Sequence, residues 1–151
     1  MEELLEKMRK YCAYQERSIL EVRTKLQPSG LSSEKKDEII IKLVEENFID
    51  EERFTESFVR GKFKTKQWGK QKIRQHLIQK GIDSETIKRH LLSDIADEEY
   101  LKILNNQIDK YIKTINPTDE KDMAKLYRHF ISKGYEYEHI KNSLKNNKNN
   151  I

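Results

Sequence analysis

The chain has 151 residues, 35% of them hydrophobic and 37% charged. That leaves too little apolar side chain for one thick core and suits small helical units set in a line. The net charge of +4 is uneven: residues 1–52 carry 9 basic and 13 acidic side chains, residues 53–82 carry 9 basic and only Glu56 acidic, and residues 83–151 carry 12 of each. Cys12 stands alone, which excludes a disulfide framework or a thiolate metal site, fits a reducing compartment, and reads as a small buried hydrophobe.

From the N-terminus, Met-Glu-Glu-Leu-Leu-Glu has no basic-then-apolar leader pattern. No apolar run approaches the roughly 18 residues of a membrane span, so a soluble, cytoplasmic protein with no membrane partner is expected. Only Pro28, Pro117 and five glycines interrupt the chain, and strict apolar/polar alternation is hard to find, so the expected class is all-α.

Longer helices are predicted over roughly 2–14, 51–66 and 96–115, each followed by a helix, a glycine stop and a second short helix. The repeat that carries this plan is explicit. Ile73, Leu77, Ile78, Lys80, Gly81, Ile82, Ile87 and Leu91 have counterparts 53 positions later in Leu126, Phe130, Ile131, Lys133, Gly134, Tyr135, Ile140 and Leu144, and His76 matches His129. A fainter copy lies 51 positions earlier in Val22, Arg23, Leu26, Gly30 and Leu31. Gly81 and Gly134 suit a helix stop with positive φ, and Ser84 and Thr118 suit N-caps, with Asp83 and Asp119 adding charge at the helix starts. The expected architecture is three tandem three-helix repeats in an elongated, curved arrangement, over 1–49, 50–95 and 96–151.

Within the helix from residue 51, Phe54, Phe58 and Gly61 share one face, as a buried stripe does, while Val59 and Phe63 lie nearly opposite and suit core or inter-unit packing ahead of contact with an external partner. Arg53, Arg60 and Lys64 fall on a third stripe. The segment that follows holds Arg60, Lys62, Lys64, Lys66, Lys70, Lys72, Arg74 and Lys80 without one carboxylate. Cations this dense repel one another and call for an anionic partner. Phosphates would serve, with Trp68 and Phe63 as apolar or stacking surface, and so would an acidic protein groove. Against this stands the plainer alternative that the lysines solubilise a helical surface and Trp68 closes a core.

Catalytic patterns are missing from the sequence. Gly-Lys at 61–62 and 69–70 lacks the rest of a phosphate loop, and His76, His90, His129 and His139 show no metal-ligand spacing. Acidic runs such as Glu45-Glu46 and Asp97-Glu98-Glu99 belong at helix ends. No enzyme activity, cofactor or metal is expected. The tail from Asn142 to Ile151 is asparagine-rich with few apolar anchors, so its last residues are expected to fray.

Phe48-Ile-Asp-Glu-Glu-Arg-Phe-Thr-Glu-Ser-Phe-Val-Arg60, then Gly69-Lys-Gln-Lys-Ile-Arg-Gln-His-Leu-Ile-Gln-Lys-Gly-Ile-Asp83, resembles the RecX family of bacterial regulators of the RecA recombinase, and Arg17-Ser18 with Leu20 and Leu26 also fits. The likeness is most specific over about 48–92. Two positions depart from it: the family often has Gly-Pro at Gly69-Lys70 and a small residue such as Ala at Thr55. The resemblance implies a monomeric helical protein that lies along the RecA filament and modulates its ATPase, strand-exchange and coprotease activities, commonly as an inhibitor. Arg53, Arg60, Lys62, Lys64, Lys66, Lys70, Lys72, Arg74 and Lys80 would then face DNA, single- or double-stranded, or an acidic recombinase surface. A stand-alone nucleic-acid binder and a peptide-holding helical scaffold are the competing readings.

Overall fold

The computed structural model describes residues 1–149. Nine α-helices account for the order of elements among these residues: α1 (Glu2–Tyr14), α2 (Ile19–Leu26), α3 (Ser33–Glu45), α4 (Glu51–Arg60), α5 (Lys70–Gln79), α6 (Ser84–Ser93), α7 (Asp97–Ile112), α8 (Glu120–Ser132) and α9 (Tyr137–Asn149). They fall into three successive threes, as the repeat predicts. The asparagine-rich run is helical as far as Asn149, and the fraying expected at its end falls on residues 150–151, outside the described residues.

Short polar side chains start the helices. Ser18 forms a reciprocal capping box with Glu21, and Ser32 accepts the Lys35 N–H. The expected caps Ser84 and Thr118 are each displaced by one residue. Asp83 accepts the Thr86 N–H at 2.9 Å, and Asp119 accepts the Lys121 N–H at 3.0 Å. A carboxylate wins because it satisfies the orphan N–H groups and meets the positive helix end together. The stops follow the glycines: Gly30, Gly81 and Gly134 have φ of +72°, +82° and +106°. Asn47, at +65°, makes the same turn after α3, and the apolar residue that follows three of these stops (Phe48, Ile82 and Tyr135) donates back five residues, to Leu43, Leu77 and Phe130.

Two compact units form. The first comprises residues 1–58 and 77–88, the second 59–76 and 89 onward, so the helices of the middle repeat are shared out between them. In the first unit, Leu5, Met8 and Cys12 of α1 pack with Val22 and Leu26 of α2 and with Ile39, Ile40, Leu43 and Ile49. Burial pushes the Cys12 thiol up to about 11, with Arg17 opposing and Glu16 adding to the rise. The native thiol is therefore expected to react with a disulfide reagent at pH 8 roughly 100-fold more slowly than in the urea-unfolded chain, because only the thiolate attacks. Equal rates in the two states would contradict the packing described for α1.

In the second unit, Val59, Phe63, Ile73, Leu91, Leu104, Ile108, Leu126, Phe130, Tyr135, Ile140 and Leu144 are buried. Val59 and Phe63 are therefore core, as the packing alternative for that pair anticipated. Gly61, predicted to share the buried stripe with Phe54 and Phe58, is instead exposed, and a Cβ there would meet nothing within 4 Å. The pitch changes from this residue onward: residues Gly61–Thr65 form a π-helical turn, closed by the Lys66 N–H donating to the Gly61 carbonyl, so the residues after Gly61 depart from the 100° spacing.

Candidate functional site

The basic segment is built around the turn that joins the π-helical stretch to α5. Gln67 sits in the left-handed region at φ +57°, a conformation worth roughly 1 kcal/mol of strain for a residue with a Cβ. Three sets of bonds hold it there. The Trp68 N–H donates to the Lys62 carbonyl at 3.0 Å, and the Tyr135 hydroxyl donates to the Gln67 carbonyl at 2.8 Å. The N–H groups of Gly69 and Gln71 donate to the carbonyls of Lys133 and Gly134 at 2.9 and 3.0 Å. This last contact brings two backbones so close that a Cβ at Gly69 would lie 2.2 Å from the Gly134 carbonyl carbon.

A second tyrosine completes the attachment. The Lys70 N–H donates to the Tyr100 hydroxyl at 3.0 Å, which donates in turn to the Glu136 carboxylate at 2.5 Å. Burial, reinforced by Glu136, holds the Tyr100 phenol far above its ordinary value, so it remains a donor. Tyr135, pushed up to about 12 chiefly by burial, accepts from Gln107 at 2.9 Å. Tyr100→Phe would strip a partner from both the Lys70 N–H and the Glu136 carboxylate. Denaturant titration should register a loss of about 1–3 kcal/mol, and no loss would mean that water replaces the hydroxyl.

The nine cations expected to form one surface have different surroundings. Arg53 and Lys80 belong to the first unit. There Arg53 bonds Glu16 at 2.6 Å and the carbonyls of Asn47 and Phe48, and Lys80 bonds Glu21 at 3.1 Å. In the second unit, Lys70 lies 3.7 Å from Asp97, with its ammonium 4.8 Å from the Tyr100 ring centre. The expectation that internal carboxylates leave this segment unbalanced is therefore corrected at Arg53, Lys70 and Lys80. Their partners come from 37, 27 and 59 residues away, out of reach of a local reading.

Two of the remainder flank Trp68. Lys62 and Lys72 place their ammonium groups 4.9 and 4.3 Å from the half-buried indole, and His76 packs on it with ring centres 4.6 Å apart. Arg74 bonds Gln71, while Arg60, Lys64 and Lys66 are exposed. Phe63 is fully buried against Tyr100, so the stacking surface expected of it is not available, whereas Trp68 is half-buried beside Lys62 and Lys72. The arrangement is chemically a cationic patch on a fixed turn, suited to polyanions.

The pattern described as RecX, second three-helix domain, matches residues 50–91, and RecX, third three-helix domain, matches residues 97–144. The chain belongs to the RecX family. Regulatory protein RecX of Clostridium botulinum (strain Eklund 17B / Type B) is 34% identical over 128 residues, covering 83% of this chain and 59% of that protein. The Enterococcus faecalis RecX is 32% identical over 131 residues, covering 86% and 49%. The chain thus spans about half to three-fifths of the length of these curated relatives. The crystal structure of RecX from Lactobacillus salivarius superposes with a TM-score of 0.81 at 23% identity, covering 97% of both chains. A crystal structure of regulatory protein RecX gives 0.84 at 24%, covering 95% of this chain and 72% of that one. These two likenesses establish the RecX fold.

The RecX resemblance also explains why Lys70 draws notice. Proline at this position would have no N–H to give Tyr100, whereas Lys70 makes that bond and adds a cation. The residues that a reading of the basic segment missed are Tyr100, Gln107, Lys133, Tyr135 and Glu136. The Gly69–Gly134 backbone approach and the bonds of Tyr100 and Tyr135 bring them to the patch.

Proposed function

We propose that this RecX-family regulator acts on the RecA recombinase, binding along the RecA–DNA filament and restraining its ATPase, strand-exchange and coprotease activities. It works as a cytoplasmic, monomeric, non-catalytic protein without a cofactor. The observation that carries the reading is the cationic turn around Trp68: Lys62, Lys72 and the exposed Arg60, Lys64 and Lys66 lie on a scaffold pinned by two buried tyrosine hydroxyls. Rigid presentation of cations gives a filament partner phosphate contacts without sequence preference. Blocking is then steric and electrostatic. The test is DNA-dependent ATP hydrolysis by RecA at rising amounts of this protein. Progressive inhibition is expected, and unchanged turnover at saturation would overturn the proposal.

The same cations also favour a second reading, in which the protein binds nucleic acid by itself. Salt-sensitive DNA affinity to which RecA adds nothing would select it.

A further inference from the structure

An open cleft of about 350 Å³ lies between α7 and α8, lined by Gln67, Gln107, Lys110, Tyr111, Thr114, His129, Phe130 and Lys133. None of its lining residues is acidic. Its floor is aromatic: Tyr111 and His129 stack with ring centres 4.9 Å apart, and Phe130 meets both edge-on. Lys133 donates to the Gln107 side-chain oxygen, a neutral acceptor that leaves the charge uncompensated. Burial and the neighbouring Lys72 hold the Lys133 ammonium below its ordinary value, and burial and Lys133 do the same to His129.

Helix dipoles account for only part of this. Lys110 and Lys133 stand at the C-terminal ends of α7 and α8, where the negative pole favours a cation. Lys72 stands in the first turn of α5, at a positive pole, yet the Gly69–Gly134 approach brings it beside Lys133: a Cβ on Gly134 would lie 2.6 Å from the Lys72 Cβ. Neither lysine forms an ion pair among the described residues. Two cations held together at a site that disfavours one of them need an anion, and the ring pair and amides beside them fit a base better than a carboxylate side chain.

We propose that this cleft seats one nucleotide of a single-stranded nucleic acid, its phosphate on Lys110 and Lys133 and its base against the exposed His129 ring. The inference deepens the RecA–DNA reading and rests on it for the choice of partner. Single-strandedness follows from the ring pair, since a base must leave its stack to meet it.

The test uses the full chain and a fluorescent dT20 oligonucleotide, followed by anisotropy at several salt concentrations. Lys110→Gln with Lys133→Gln should weaken binding about 10- to 100-fold and reduce the salt slope by about 0.7, one strand phosphate's worth. His129→Ala should weaken dT20 about tenfold and leave a 20-base-pair duplex unaffected. Lys110→Gln alone, at an exposed position, should show about half the slope change and keeps the test valid if the double variant misfolds. Unchanged affinity and slope, or equal losses on dT20 and duplex, would overturn the seat. So would a glutamate 12-mer that competes as well as dT20, and dTMP binding as tightly as the strand would overturn a strand ligand. Wild-type inhibition of RecA ATP hydrolysis is scored separately, so the seat can fail while the regulatory reading stands.

Discussion

Gly69→Ala is expected to be the most damaging small substitution in the second unit, lowering stability by roughly 3 kcal/mol. The added Cβ would fall 2.2 Å from the Gly134 carbonyl carbon, 2.3 Å from its oxygen and 2.4 Å from the Tyr135 nitrogen. All three are backbone atoms, so no rotamer relieves the clash, and the α5 start must lift away from the α8 end. That movement breaks the donations from Gly69 and Gln71 and displaces the Lys70 N–H from Tyr100. Thermal unfolding should shift down by several degrees, and amide exchange at Lys70 and Gln71 should quicken. Gly61→Ala is the matched control. It adds the same methyl eight residues earlier, where nothing lies within 4 Å, and should be neutral or stabilising by up to about 1 kcal/mol. Equal damage from both would mean that the close approach at Gly69 does not govern the loss.

That contrast also marks what a sequence can disclose. Gly81 and Gly134 were legible because a positive φ restricts residue choice, and the three long helices were legible because apolar spacing records one face of a helix. Gln67 takes positive φ without any such mark, held by bonds to Tyr135 and by the chain on either side of it. The π-helical turn is silent for a related reason: the wider turn changes which face the residues after Gly61 occupy but needs no special side chain. The tyrosine pins are hidden more deeply. Tyr100 and Tyr135 bond the N–H of Lys70 and the carbonyl of Gln67, and backbone atoms carry no residue signature across 30 or 68 positions. Charge density was plain, yet its division was not. Glu16 and Glu21 lie in the acidic segment 1–52, and only folding brings them to Arg53 and Lys80.

Because Arg53, Lys70 and Lys80 already have carboxylate partners, reversing them would confound folding with binding. The informative variant reverses Lys64 and Lys66 to Glu. These are exposed, and the change alters the patch by four charge units without touching Trp68, the tyrosine pins or the glycine contact. Helix content and the unfolding midpoint should stay close to wild type, since exposed charges away from buried partners contribute little. Binding should collapse: two lost phosphate contacts remove up to about 1.8 units from the salt slope on duplex DNA, and two new repulsions add to that loss. Inhibition of RecA ATP hydrolysis should fall by at least about 100-fold in effective concentration at low salt. Raising salt should narrow the gap between variant and wild type, because screening weakens attraction in one and repulsion in the other. If the double variant inhibits RecA as well as wild type at every salt concentration, the cationic turn is a solvated surface and the regulatory contact lies on another face of the molecule.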